Sequence, residues 1–158
     1  MSKDHEKFMS EAIRLASKNM ENGHGGPFGC VVVKKGKIIA SAFNEVLKTN
    51  DPTAHAEIVA IRRACLKLKT YQLDGCEIYT SCEPCPMCLG AIYWSRPSKV
   101  YYAASRIDAA LAGFDDNHIY DEFNLALPDR IIPFEQIMQQ QVKEVFNKWI
   151  IMKLNIKY

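Results

Sequence analysis

Apolar positions recur at helical spacing near the start of the chain. Phe8, Ala12, Leu15 and Ala16 mark one face, with Met9, Ile13 and Met20 beside them, and this predicts an amphipathic helix over residues 4–21. Asn22-Gly23 suits its C-cap, and His24-Gly25-Gly26-Pro27 is rich in turn formers. Two strands are predicted next, Phe28 to Val33 and Lys37 to Phe43, joined at Lys35-Gly36. Asn50-Asp51-Pro52-Thr53 reads as a loop ending in an N-cap, Thr53, for a helix running to about Lys67. Thereafter strands and helices alternate: a strand Glu77 to Thr80, a helix Cys85 to Tyr93, a strand Lys99 to Ala103 and a short helix Asp108 to Leu111. That alternation implies βαβ crossovers and a sheet covered on both faces, an α/β fold. The loop Ala112 to Tyr120 is polar, and Val142, Val145, Phe146 and Trp149 give the tail 142–158 a helical pattern with a basic end. With no repeat or linker in the pattern, one domain over residues 1–158 is expected.

Composition narrows the class. The chain has 158 residues, 48% hydrophobic and 24% charged, with only 8 Gly and 7 Pro, which excludes disordered and low-complexity classes. A net charge of +2 lacks the clustered basic excess of a protein that grips phosphates, so no nucleic-acid partner is expected. No apolar run approaches the roughly 18–20 residues needed to span a bilayer, so no membrane partner is expected. The polar opening Met1-Ser2-Lys3-Asp4-His5-Glu6 does not read as a signal peptide, and a cytoplasmic location follows as an expectation.

The 6 cysteines change the picture most. A reducing compartment disfavours a disulfide framework, and Cys82, Cys85 and Cys88 lie within seven residues. Cys85 and Cys88, three apart at a helix start, share one face, and a helix N-terminus favours the ligating thiolate. His55, at the start of the preceding helix, adds an imidazole. Two thiolates and one imidazole suit Zn²⁺ and leave a fourth position open, as catalytic sites do. Glu57 is then the acid–base group that handles the proton of a water acidified by the metal. One geometric difficulty stands against it: residues two apart on a regular helix point to different sides. Bland readings compete as well. The Cys82, Cys85, Cys88 spacing hints at an iron–sulfur run, but Ile92 occupies the next expected cysteine position. A thioredoxin-like motif leaves His55 and Glu57 without purpose, and a non-catalytic zinc module leaves Glu57 without one. Together, His55-Ala56-Glu57 and Pro84-Cys85-Pro86-Met87-Cys88 match the zinc deaminase signature H-x-E…P-C-x-x-C. Cys30, Cys65 and Cys76 read as small buried hydrophobes and Cys82 as a neighbour of the site.

Longer stretches extend the likeness. Gly25 to Gly29, Asn50 to Glu57, Thr80 to Trp94 and Ala112-Gly-Phe-Asp-Asp116 resemble the bacterial guanine deaminases of the cytidine deaminase superfamily, in order and over nearly the whole chain. The resemblance implies a three-layer α/β/α fold around a central five-stranded mixed sheet. It implies one Zn²⁺ per subunit and hydrolysis of guanine, a purine base, to xanthine and ammonia. Carried over by position, His55, Cys85 and Cys88 are the zinc ligands, and Glu57 and Asp116 the catalytic residues. Asn44, Phe28, Ala56, Trp94 and Tyr158 form the substrate-binding set. Asp115 is an alternative to Asp116, and Phe28 reads equally as a strand-opening core residue. The resemblance also implies a homodimer in which residues 142–158 cross over and close the partner's site, with Tyr158 near the substrate. The rival activities are deamination of a tRNA adenosine, or of a triazine- or pterin-like amine.

Overall fold

β1 (Gly29–Lys34) and β2 (Lys37–Phe43) form an antiparallel hairpin closed by Lys35 and Gly36, whose φ values of 50° and 70° are those of a tight two-residue turn. The computed structural model describes residues 3–23 and 25–152. β1 also pairs antiparallel with β3 (Cys76–Cys82), and β3 pairs parallel with β4 (Lys99–Ala104), so the sheet order is β2-β1-β3-β4. The remaining elements of the first 116 residues are helices: α1 (Lys3–Glu21), α2 (Val46–Thr49), α3 (Ala56–Leu68), α4 (Pro86–Ser95) and α5 (Arg106–Leu111).

Strand alternation sorts the core into two faces. Val31, Val33 and Tyr79 pack with Phe8 and Leu15 of α1, whereas Cys30, Val32 and Ile78 pack with Ala56, Val59 and Ala60 of α3. The three-layer arrangement therefore stands, with α1 on one face of the sheet and α3 on the other. Gly29 lets α1 approach: a Cβ there would collide with the Ala12 carbonyl and lie 2.8 Å from the Ala16 nitrogen.

Two expectations need correction. The sheet has four strands among the described residues, where five are expected. After β4 the chain turns at once into α5, and the β-branched pair Ile131-Ile132 runs into Pro133, which lacks the N–H a ladder needs. Thr53 does not cap α3; its N–H and hydroxyl both bond Asp51 Oδ1 at 2.8 and 2.7 Å in a turn, and His55 is the N-cap. Asp51, one residue before Pro52, competes successfully for Thr53.

The chain divides into two compact units, Met1–Asp116 and Asn117–Tyr158. The second contains α6 (Asn117–Phe123), a 3₁₀ turn (Leu127–Asp129) and α7 (Gln139–Ile151). Among the described residues no helix is long and apolar enough to cross a membrane.

Candidate metal centre and pocket

The two helix starts that carry the motifs meet. His55 is the N-cap of α3, with extended backbone (φ −65°, ψ 156°), and Cys85 is the N-cap of α4 (φ −64°, ψ 168°), followed by Pro86. Neither N-cap side chain makes a capping hydrogen bond to its helix, and the imidazole and the sulfur are turned to each other instead. Cys88, buried in the first turn of α4, completes the group. His55 Nδ1 lies 3.5 Å from Cys85 Sγ and 3.6 Å from Cys88 Sγ, and the three ligand atoms all lie within 4.8 Å of one another. A tetrahedral zinc with Zn–S of about 2.3 Å and Zn–N of about 2.0–2.1 Å requires N···S edges of about 3.6 Å. The donor set thus fits zinc in both chemistry and spacing.

The two sulfurs are coupled through a hydrogen bond between them. The Cys88 thiol, aided by His55, holds Cys85 down at about 4 against burial. The same hydrogen bond, with burial, pushes Cys88 up. The Cys85 partner raises His55 in turn. A cation at this point takes the place of the proton in that bond.

Glu57, only 5% exposed, is the second residue of α3. Its Oε1 accepts from Thr80 Oγ1 at 2.7 Å, and its Oε2 accepts from Cys88 Sγ at 3.5 Å. The spacing difficulty resolves because His55 precedes the helix: its extended backbone turns the imidazole to the side that Glu57 faces from within the first turn. Burial raises the Glu57 pKa, and the Thr80 hydrogen bond opposes the rise. A buried carboxyl with a raised pKa is suited to accepting and returning a proton.

A cavity of about 350 Å³ opens beside this group, within the size range of small-molecule sites. Its lining includes His55, Glu57, Cys85, Phe28, Asn44 and Asp116. Asn44 is firmly held: its N–H donates to Phe28 O at 3.0 Å, its carbonyl accepts from Asn19 Nδ2 at 3.0 Å, and Oδ1 accepts from Val46 N at 3.2 Å. Among the described residues these bonds do not engage the amide nitrogen. Phe28 meets Phe114 edge-on, with centroids 4.9 Å apart at 83°. Asp116 faces the cavity, and burial raises its pKa, as does Cys85, whereas Asp115 is exposed and outside the lining.

Other expected residues lie elsewhere. Trp94 does not line the cavity; it is 64% exposed on α4, six residues beyond Cys88 and so well round the helix from the face that buries Cys88, Ile92 and Ser95. Ala56 is buried in the core between the ligand and the acid, and it is not part of the cavity lining. Tyr158 lies outside the described residues. Cys82 lines the cavity but stands apart from the ligand cluster, its Sγ 3.7 Å from Ser105 O. Cys30 and Cys76 are fully buried, and Cys65 is half-buried.

Sequence reasoning missed part of the wall. Val46 and Leu47 of α2, with Glu83, Arg106 and Phe114, also line the cavity. Buried Glu45, which precedes α2, accepts from Arg63 Nη2 of α3 at 3.0 Å and so ties that wall to α3. Nothing in local periodicity marks these residues, although Phe114 falls inside the Gly-Phe-Asp-Asp stretch. The Thr80 bond to Glu57 was missed as well, and its signal was a hydroxyl at a core-facing strand position.

Fold and site together fit a deaminase with a metal-binding centre. Residues 2–104 match the cytidine and deoxycytidylate deaminase zinc-binding region, and the chain belongs to that family. The family's metal is zinc, and His55, Cys85 and Cys88 form a group that could hold it. Within the family, the guanine deaminase of Bacillus subtilis (strain 168) is 55% identical over 146 residues, covering 92% of this chain and 94% of that one. The X-ray structure of guanine deaminase from Bacillus subtilis is similar with a TM-score of 0.94 at 52% identity, covering 100% of this chain and 99% of that chain. The tRNA-specific adenosine deaminase of Aquifex aeolicus is 46% identical over 99 residues, 63% of this chain and 65% of that protein.

Proposed function

We propose that the protein hydrolyses guanine to xanthine and ammonia, a step of purine catabolism or salvage. The observation that carries this reading is the likeness to a guanine deaminase along the whole chain, 55% identity over 92% of it. The likeness to the tRNA-specific enzyme spans 63% of the chain.

His55, Cys85 and Cys88 hold the zinc, which when bound supplies Lewis acidity that brings the pKa of a water towards ~7. Asn44 presents its amide to the purine edge, where it can both donate and accept. Phe28 packs on the ring, and Asp116 contacts the ring or its amine. Glu57 accepts the proton of the attacking water as the C2–O bond forms. It gives that proton to the ring nitrogen, takes the second from the new C2 hydroxyl and passes it to the amine; the C2–N bond breaks as C2=O forms, and ammonia leaves. Trp94 has no part in this reading.

The protein acts as a homodimer in the cytoplasm, as one functional domain over residues 1–158, and a free base rather than a nucleic acid is its substrate. The six unpaired cysteines support a reducing compartment. Exposed Tyr93 and Trp94 on α4, and Val145, Phe146 and Ile150 on α7, support a subunit interface. The C-terminal segment that begins at residue 142 crosses to the partner and closes its site. A monomeric mass by light scattering would contradict the dimer.

Glu57→Gln tests the chemistry. The variant keeps its zinc, read by metal analysis, and loses at least about 10²-fold in turnover of guanine. Zinc-loaded Glu57→Gln with parental turnover would remove the acid–base role.

A further inference from the structure

β3 is paired on both sides, with Thr80 opposite Cys30 of β1 and Tyr102 of β4, so its backbone is among the most firmly held in the sheet. Alternation puts Cys76, Ile78 and Thr80 on the face that packs against α3, and each is at most 1% exposed. Two of those three positions carry apolar side chains, and valine would fill the third with nearly the same shape as threonine. A buried hydroxyl there is costly unless it is hydrogen-bonded. Its partner is Glu57 Oε1, at 2.7 Å. The other carboxylate oxygen, Oε2, is the one beside the ligand set, 3.5 Å from Cys88 Sγ.

From this division of the two oxygens we infer that Thr80 is a positioning residue: its hydroxyl fixes the rotation of the Glu57 carboxylate, so that Oε2 is the oxygen turned to the metal ligands. The inference rests on the acid–base role of Glu57 given above. A hydroxyl on a central strand suits this task, because a support that is itself immobile holds a reacting group to within a fraction of an ångström. Glu57 sits on a helix and Thr80 on the sheet beneath it, so the bond also joins the two layers at the site.

Thr80→Val removes the hydroxyl and keeps the shape, while Thr80→Ser keeps the hydroxyl. With zinc content unchanged, Thr80→Val lowers kcat about 10- to 100-fold and leaves KM within about twofold, and Thr80→Ser recovers most of kcat. Parental kcat in Thr80→Val, or equal losses in both variants, would overturn the inference. A second measurement needs no turnover. In zinc-loaded protein with ¹³C-labelled glutamate carboxyls, the resonance missing from Glu57→Gln shifts in Thr80→Val and stays near its parental position in Thr80→Ser. A resonance that does not move in Thr80→Val overturns the inference. Lack of guanine turnover in the parent removes the substrate reading alone, since the resonance still decides the role of Thr80.

Discussion

His55 and Glu57 reach one metal centre because the backbone changes conformation between them: an extended N-cap is followed by the first helical turn. The same economy recurs at α5, whose N-cap Ser105 and Asp108 bond each other reciprocally in a capping box. The Ser105 hydroxyl and then its backbone N–H hold the Asp108 carboxyl below its ordinary value. Because the folded pKa is depressed, this contribution to stability is complete above the unfolded value, about pH 4, and is lost as pH falls through the lowered value. NMR titration of the Asp108 carboxyl gives a value below ~3.9 in the parent and a return towards it in Ser105→Ala. An identical titration in the two proteins would refute the assignment. The candidate metal ligands were legible in the sequence because they fall in two recognisable motifs, His55-Ala56-Glu57 and Pro84-Cys85-Pro86-Met87-Cys88, each at a helix start. Thr80 was not, because its partner lies 23 residues away and only the packing of α3 on β3 joins them. Trp94 misled because its place in a motif-rich stretch says nothing of which side of α4 it occupies.

At the scale of elements, α1 comes close against β1 at Gly29. A methyl group there would meet the Ala12 carbonyl and come within 2.9 Å of Leu15 Cβ, and the first of these contacts is backbone. Gly29→Ala is expected to destabilise the fold by at least about 1–3 kcal/mol, seen as a lower denaturant midpoint. An unchanged midpoint would show that α1 shifts freely. Strong periodicity predicts α1, the Lys35-Gly36 turn marks the hairpin between β1 and β2, and α3 follows the expected loop although its N-cap is His55 and not Thr53. Short α2 and α6, of 4 and 7 residues, carry too few turns for a periodic signal. The expectation of a fifth strand came from the family likeness and not from any alternating segment, and Pro133 interrupts the stretch best suited to form one.

At the scale of the whole molecule, the apolar side chains left exposed on α4, α5 and α7 give the proposed dimer its physical motive. Tyr93, Ile107, Leu111, Val145 and Phe146 are each more than half exposed in the single chain. Near-neutral charge, +2 over 158 residues, fits a substrate that is a free base. The family fixes zinc and deamination, and the choice of base is the central claim. The direct measurement is ammonia release by the zinc-loaded protein from guanine, adenine, cytosine, cytidine and a short tRNA stem-loop, each at the same concentration. The account predicts release from guanine, with xanthine formed in equal amount, and at least about tenfold less from every other substrate. Release from the stem-loop or another base in preference to guanine would contradict it.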